Sequence, residues 1–309
     1  MSAADVAKIE EAAGPSALVT VVDGVRAAFE PAASCEVVLG PMPPSLFEKA
    51  RVLRWVQATA SGIDGFMYPE FRDSDVLLTS EKGLVGGHLA DTGFGLLLAI
   101  ARRIATAVRL GAAGWDAREA MRKEELELEG MTMGIVGFGG TGRAMARRGL
   151  AFGMSCLAVD EVPVLGGDGV DQVWPTSRLP ELLAASDVVA ICCPLTSATK
   201  CLFDDAAFVG MKNGAILVNV TRGEIVDGDA LVRALASGRL GGAALDVAPV
   251  EPLPADHPLW SFDNVVMTPH TAGASQFRAH RNLARFCENL RRYRAGEDLV
   301  GLIDKHAGY

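Results

Sequence analysis

An α/β fold built on parallel sheets is what this sequence predicts, and three observations carry the prediction. Short apolar runs alternate with helix-length segments through most of the chain. Half of the residues are hydrophobic and only 6% are aromatic, so the core must draw on Ala, Val, Leu and Ile, as parallel sheets covered by helices do. Near the middle, an apolar run ends in Gly137-x-Gly139-x-x-Gly142 and passes into helix formers, the order strand, turn, helix. At 309 residues the chain is long enough for two doubly wound domains with a substantial core.

Taken in order, Leu18 to Val22, Cys35 to Leu39 and Leu53 to Gln57 are predicted strands, bounded by Gly, Pro or small residues. The third runs into Ala58 to Asp64, a small-residue loop whose backbone N–H groups can face an anion. Gly86 to Leu110 reads as one long helix, apolar on all sides from Phe94 to Ala101 and followed by Arg102, Arg103 and Arg109. A charged connector from Gly111 to Glu129 leads to a strand, Met131 to Val136, and the glycine loop. Met154 to Val159, Asp187 to Cys192, Ala215 to Asn219, Ala243 to Val247 and Val265 to Thr268 are the later strands, with helices at Ser177 to Ala185 and Asp227 to Ser237. An amphipathic helix, Ala274 to Arg294, precedes a tail expected to return to the first domain. The predicted division is 1–100 plus 285–309 for one domain and 101–284 for the other.

A formal charge of −9 argues against nucleic acid or an anionic membrane as the main partner, while a few local basic groups could still hold a small anion. Of the six cysteines, Cys156, Cys192 and Cys193 sit within apolar runs, which reads as buried thiols in a reducing compartment. With no C-x-x-C pair, no metal site is expected. Met1 to Glu11 is polar and acidic, unlike a secretory signal, and the longest uncharged apolar stretch is too short for a membrane span. The expectation is a cytoplasmic protein.

The glycine spacing has a definite chemistry. Gly137 permits a tight turn, Gly139 lets a pyrophosphate approach the backbone, and Gly142 lets the helix pack on its strand, with unpaired N–H groups at the helix start facing the anion. The next predicted strand ends in Asp160, eighteen residues past Gly142, where a carboxylate can take both hydroxyls of an adenosine ribose. No Arg or Lys lies between Asp160 and Arg178, and Glu161 adds a second negative charge, so NAD(H) is favoured over NADP(H).

In a doubly wound sheet, ligands bind beyond the carboxyl ends of the strands. The polar residues expected there are Arg222, Asp246, Glu251 and His270. Arg222 could grip a carboxylate in a fork and polarise a neighbouring keto oxygen. His270 as imidazolium could protonate that oxygen while a hydride arrives, and Glu251 could orient the ring and stabilise its charged form.

These residues lie in motifs that resemble the D-2-hydroxyacid dehydrogenase family over almost the whole chain. The motifs are Gly137-Phe-Gly-Gly-Thr-Gly142, Cys193-Pro-Leu-Thr-Ser-Ala-Thr199, Asn219-Val-Thr-Arg-Gly-Glu-Ile-Val-Asp227, Leu245-Asp-Val-Ala-Pro-Val-Glu-Pro252 and Thr268-Pro-His270. The resemblance implies a Rossmann NAD-binding domain inserted into a flavodoxin-like substrate domain, and a homodimer joined through the NAD-binding domains. It implies Arg222, Glu251 and His270 as the catalytic set. It places Asp246 against the nicotinamide amide, and Gly140, Thr141, Pro194, Thr199 and Thr221 along the cofactor. The backbone of Ser61, Gly62 and Ile63 is implied to hold the substrate carboxylate.

Several positions depart from the common pattern. Gly140-Thr141 replaces a more usual Arg-Ile, and Ala248-Pro249 stands where many relatives carry an aromatic and an acid. Ala90-Asp91 resembles the glyoxylate and hydroxypyruvate reductase branch. Formate dehydrogenases carry Gln at the position of Glu251 and phosphite dehydrogenases carry Lys at that of Ser61, so neither substrate is expected. The expected reaction is NADH-dependent reduction of a small 2-keto acid such as glyoxylate or hydroxypyruvate. The alternatives are a phosphoglycerate dehydrogenase-like activity, for which Arg278 or Arg281 would have to supply charge, and an NADH sensor like the family's corepressors.

Overall fold

A computed structural model describes all 309 residues. The first elements are α1 (Ala3–Ala13), β1 (Val37–Leu39), α2 (Pro44–Phe47), β2 (Trp55–Gln57), α3 (Pro69–Arg72) and β3 (Leu77–Thr79). The middle of the chain holds α4 (Gly86–Ala101), α5 (Ile104–Leu110), α6 (Arg118–Glu124), β4 (Thr132–Val136), α7 (Gly140–Ala151), β5 (Ser155–Asp160) and β6 (Val173–Pro175). Then come α8 (Leu179–Ala185), β7 (Val188–Ile191), α9 (Asp205–Gly210), β8 (Ala215–Asn219), α10 (Gly228–Ala236), β9 (Leu240–Leu245), β10 (Val265–Met267) and α11 (Arg278–Ala295). No helix is long and apolar enough to cross a membrane.

The chain divides into two compact units, Gly86–Ala274 and Met1–Val85 with Ser275–Tyr309. The first is built on seven parallel strands in the order β10-β9-β8-β7-β4-β5-β6. From β4 the chain moves outward through β5 and β6, then crosses back to lay β7 on the other side of β4. That reversal opens a crevice at the carboxyl ends of β4 and β7. Alternation sorts side chains to the two faces. Val188, Ala190, Ile216 and Val218 join Met133 and Ile135 under α4 and α7. Val189, Ile191, Ala215 and Leu217 join the opposite layer with Leu182, Phe208 and Leu231 of α8, α9 and α10. Both faces are covered, which is why these strands are almost wholly apolar.

The other unit has three parallel strands in the order β1-β2-β3. Trp55 packs with Ile9, Ala12, Phe286 and Leu290 of α1 and α11, while Val56 and Leu78 pack with Leu46 and Phe71 of α2 and α3. Within it the Trp55 indole donates to Thr79 Oγ1 (2.8 Å), Thr79 donates to Gln57 Oε1 (2.8 Å), and Asn289 donates to the same oxygen (3.2 Å). This buried chain of polar groups fixes α11 on the sheet.

Four expectations need correction. Leu18 to Val22 forms no strand; Leu18 is 92% exposed and only Val19 packs, so an apolar run without a neighbouring strand stays unpaired. The long helix breaks at Arg103, which is left-handed (φ 53°). There Arg102 bonds Glu125 (2.6 Å) and Arg103 pairs with Glu124, so the connector's charges hold the bend. Short strands β3 and β6 were not expected. The division between units falls at 85/86 and 274/275 rather than at 100 and 285. The reason is packing: Ala90, Phe94 and Leu97 of α4 bury against Met145 and Val218, whereas Phe286 and Leu290 of α11 bury against Trp55.

Candidate active site

The loop between β4 and α7 has the geometry its glycines require. Gly137 has φ +95°, and a Cβ there would lie 2.5 Å from the backbone nitrogen of Cys193. A Cβ on Gly142 would lie 2.1 Å from the Gly137 carbonyl oxygen. A Cβ on Gly139 would meet nothing within 4 Å. Packing therefore dictates two of the glycines, while the third faces open space, as a backbone that receives a ligand must. The first-turn N–H groups of Gly140 and Thr141 have no intrahelical acceptor, and neither residue is buried. These residues fit a dinucleotide pyrophosphate.

At the end of β5, Asp160 accepts from the Phe138 N–H (2.5 Å) through one carboxylate oxygen and from the Val162 N–H (3.0 Å) through the other. The carboxylate is thus oriented beside the glycine loop, half-buried, with lone pairs left for hydroxyl donors. The absence of basic residues after Asp160 in the sequence does not leave the region free of them. Arg143 and Arg147, one turn apart on α7, reach Asp168 at 3.4 and 2.9 Å. Their i,i+4 spacing on a predicted helix was the available signal.

On the other side of the crevice, three turns carry the polar set. Asn219, 1% exposed, closes the first: its amide donates to the Arg222 carbonyl (2.9 Å) and accepts from the Thr221 N–H (3.1 Å). Arg222 itself donates to the Thr221 carbonyl (2.7 Å). A Cβ on Gly223 would lie 1.7 Å from the Ala248 carbonyl oxygen, so the turn bearing Arg222 presses directly on the one that leads to Glu251. Glu251 accepts from the Ala248 N–H (3.0 Å) with Oε1 and meets His270 Nδ1 with Oε2 at 2.7 Å. With Nδ1 engaged, the other ring nitrogen of the half-exposed imidazole is left for substrate.

His270 is held in a left-handed conformation (φ 54°), and Asp246 is what holds it there. The Asp246 carboxylate is 1% exposed and accepts from the Thr268 hydroxyl (2.6 Å), the Thr271 N–H (2.9 Å) and the Ala272 N–H (2.9 Å). Its carbonyl accepts the His270 N–H (2.8 Å). Asp246, expected to face the nicotinamide amide, has both carboxylate oxygens engaged by the turn that carries the histidine. Asn219 and Asp246 thus brace the turns that carry Arg222 and His270, and a polar residue ending a wholly apolar strand is the signal for such a brace.

Pro194 lies exposed after β7, and Thr199 closes the following turn by donating to the Pro194 carbonyl (2.7 Å) and accepting from the Thr196 N–H (2.8 Å). Thr221 donates its hydroxyl to Asn219 (3.2 Å). Asp91 pairs with Arg148 (2.5 Å), a joint between α4 and α7. In the smaller unit, Ser61, Gly62 and Ile63 follow β2, and none of their backbone N–H groups has a hydrogen-bond acceptor. There too, Arg278 is bound by Glu81, which is 1% exposed, at 2.8 Å, so it is not the uncommitted cation a phosphorylated substrate needs, while exposed Arg281 lies 5.4 Å from the centroid of the Phe277 ring. No group of His, Cys, Asp and Glu side chains has the clustering of a metal site.

Comparison with known proteins falls on the same residues. Over residues 94–272 the chain matches the model of the D-isomer specific 2-hydroxyacid dehydrogenase NAD-binding domain. A glyoxylate reductase of Korarchaeum cryptofilum is 37% identical over 270 residues, 86% of this chain and 80% of that protein. A hydroxypyruvate reductase of Thermotoga maritima is 34% identical over 267 residues, 85% of this chain and 80% of that protein. Among solved structures, a D-isomer specific 2-hydroxyacid dehydrogenase of Xanthobacter autotrophicus in complex with NADPH superposes with a TM-score of 0.77 at 30% identity, covering 90% of this chain and 86% of that one. The matched span contains the glycine loop, the Arg222 turn and the Glu251–His270 pair, and the chain belongs to the D-isomer specific 2-hydroxyacid dehydrogenase family.

Proposed function

We propose that this protein reduces a small 2-keto acid, glyoxylate or hydroxypyruvate, to the D-2-hydroxy acid, with NADH preferred. The observation that carries the reading is the 2.7 Å contact between His270 and Glu251 at the end of the sheet that holds the glycine loop. The cofactor supplies a hydride to the carbonyl carbon; the remaining steps belong to the chain. The backbone of Gly139, Gly140, Thr141 and Gly142 holds the pyrophosphate, with Asp160 on the adenosine ribose and Pro194, Thr199 and Thr221 lining the path toward the nicotinamide. Arg222 binds the substrate through charge-assisted hydrogen bonds and polarises its keto oxygen. His270 gives that oxygen a proton from Nε2 while Glu251 keeps Nδ1–H in place and balances the imidazolium. Ser61, Gly62 and Ile63 are assigned the substrate carboxylate on the strength of their unspent N–H groups.

The NADH preference rests on Asp160 and Glu161 and is tested by Asp160→Ala, which should weaken NADH binding roughly tenfold and narrow the preference over NADPH. A cytoplasmic site of action agrees with six free thiols. A homodimer through the NAD-binding domain is supported by an exposed apolar patch on α5 and the segment after it, where Val108 is 75% and Trp115 80% exposed. Sedimentation of Trp115→Arg as a monomer would support that assembly.

The deciding assay is oxidation of NADH, and separately NADPH, with glyoxylate, hydroxypyruvate, pyruvate, a branched 2-keto acid and phosphohydroxypyruvate. Turnover with glyoxylate or hydroxypyruvate supports the proposal. Tight NADH binding with no turnover on any of them overturns it in favour of a sensor or of a substrate outside this class.

A further inference from the structure

The segment after β5 ends in a tight hairpin. The Gly167 N–H donates to the Val170 carbonyl (2.7 Å) and the Val170 N–H donates back (3.0 Å). Between them Asp168 (φ 55°) and Gly169 (φ 90°) are both left-handed, the arrangement that an Asp-Gly pair favours. The hairpin thereby presents one carboxylate at its tip, and α7 presents two guanidinium groups to it. Arg147 Nη1 lies 2.9 Å from Oδ1 and Arg143 Nη1 lies 3.4 Å from Oδ2. Arg143 also donates to the carbonyls of Leu165 (2.7 Å) and Gly166 (3.4 Å), and its guanidinium stacks 4.6 Å from the centroid of the Phe138 ring.

Phe138 connects this cluster to the cofactor loop. Its N–H is the donor that Asp160 accepts at 2.5 Å, so the residue that orients the expected ribose-reading carboxylate also carries Arg143 on its ring. A guanidinium group suits a 2′-phosphate, since its planar fork matches phosphate oxygens, and Arg143 reaches the cofactor loop through Phe138 with Arg147 one turn behind it on α7. Here one acid occupies both, and the two arginines hold the Asp168 carboxyl below its ordinary range, Arg147 foremost.

We propose that Asp168 is a specificity-determining residue: by binding Arg143 and Arg147 it withholds from NADPH the two cations that would otherwise receive the 2′-phosphate. This rests on the dinucleotide site described above and deepens its proposed preference for NADH. The hairpin acts as a latch, and the discrimination lies in the latch as well as in Asp160.

The test is equilibrium binding of NADH, NADPH and adenosine 2′,5′-bisphosphate to the wild-type protein, Asp168→Gly, Asp168→Asn and Asp168→Gly/Arg143→Ala. Gly and Asn both tolerate the left-handed backbone, so the turn is kept while the charge is removed. Asp168→Gly should bind NADPH and the bisphosphate roughly tenfold tighter than wild type, with NADH little changed and the gain shrinking as salt rises. Asp168→Asn should show a smaller gain in the same direction, and adding Arg143→Ala to Asp168→Gly should cut the gain by removing one of the two cations. Unchanged bisphosphate affinity in both single variants, or a gain undiminished by Arg143→Ala, overturns the proposal. Because the readout is the change from wild type, it stands apart from which cofactor the wild type prefers.

Discussion

The two sides of the crevice are built by opposite means. The side formed by β4 and α7 works through what is missing: no Cβ at Gly137 or Gly142, where one would collide with backbone, and none at Gly139, where a ligand can approach. The side formed by β8, β9 and β10 works through added polar groups that brace one another across long stretches of sequence. Asn219 closes the Arg222 turn, Asp246 gathers three donors from residues 268–272, and Glu251 reaches His270 nineteen residues away. One side is a local motif; the other exists only when three turns meet. Damage to the first should therefore act on cofactor binding or on folding, and damage to the second on turnover.

The largest separation should come from His270→Gln, which removes the proposed proton donor. Turnover is expected to fall by roughly two to four orders of magnitude with NADH affinity nearly unchanged. Undiminished turnover would take His270 out of the mechanism.

Asp246→Asn should follow, with a loss in turnover of roughly tenfold to a hundredfold and little change in NADH affinity. The amide cannot accept from both the Thr271 and Ala272 N–H groups and the Thr268 hydroxyl without turning its own NH2 toward a donor. If Asp246 instead contacts the nicotinamide amide, NADH affinity will drop with turnover, so a titration beside the rate assay decides between positioning and binding.

A pair of glycine variants sharpens the other side. Gly142→Ala places a methyl 2.1 Å from a backbone oxygen and should lower stability by about 1–3 kcal/mol, visible as a lower Tm. Gly139→Ala meets no protein atom, so it should keep its Tm and lose NADH affinity. Equal effects of the two on Tm would mean that Gly139 serves packing alone.

The smallest effect concerns the thiol behind the loop. Burial pushes the Cys193 thiol up to about 12, so at neutral pH it carries almost no thiolate and should resist alkylation, as should Cys156, pushed up to about 11. Exposed Cys201 should label first in a mass-spectrometric time course. Early modification of Cys193 would show that the close packing of Gly137 on Cys193 opens in solution.

Much of this was legible from the chain alone because the determinants are local. The apolar runs that became β4, β5, β7, β8 and β10 sit within a residue or two of where periodicity places them. The glycine spacing predicts both a turn and its use, and Asp160, Arg222, Glu251 and His270 were recognisable as polar residues following apolar strands. Prediction failed where a partner distant in sequence decides the outcome. Leu18 to Val22 has the composition of a strand and nothing to pair with. The helix through Arg102 and Arg103 breaks because Glu124 and Glu125 draw its arginines aside.

The sequence by itself determined the parallel α/β class, the strand–turn–helix of the glycine loop, and which side chains are candidates for the chemistry. These follow from side-chain volume, backbone freedom and spacing over a few residues. Only the tertiary structure decided that the Asp246 carboxylate is hydrogen-bonded by the turn after β10, that Arg278 is consumed by Glu81, and that α7 supplies two arginines to a segment with no basic residue of its own. The physical reason is the same in each case. A charge's role is set by the group that neutralises or hydrogen-bonds it, and that group arrives from another part of the chain only when the core has closed.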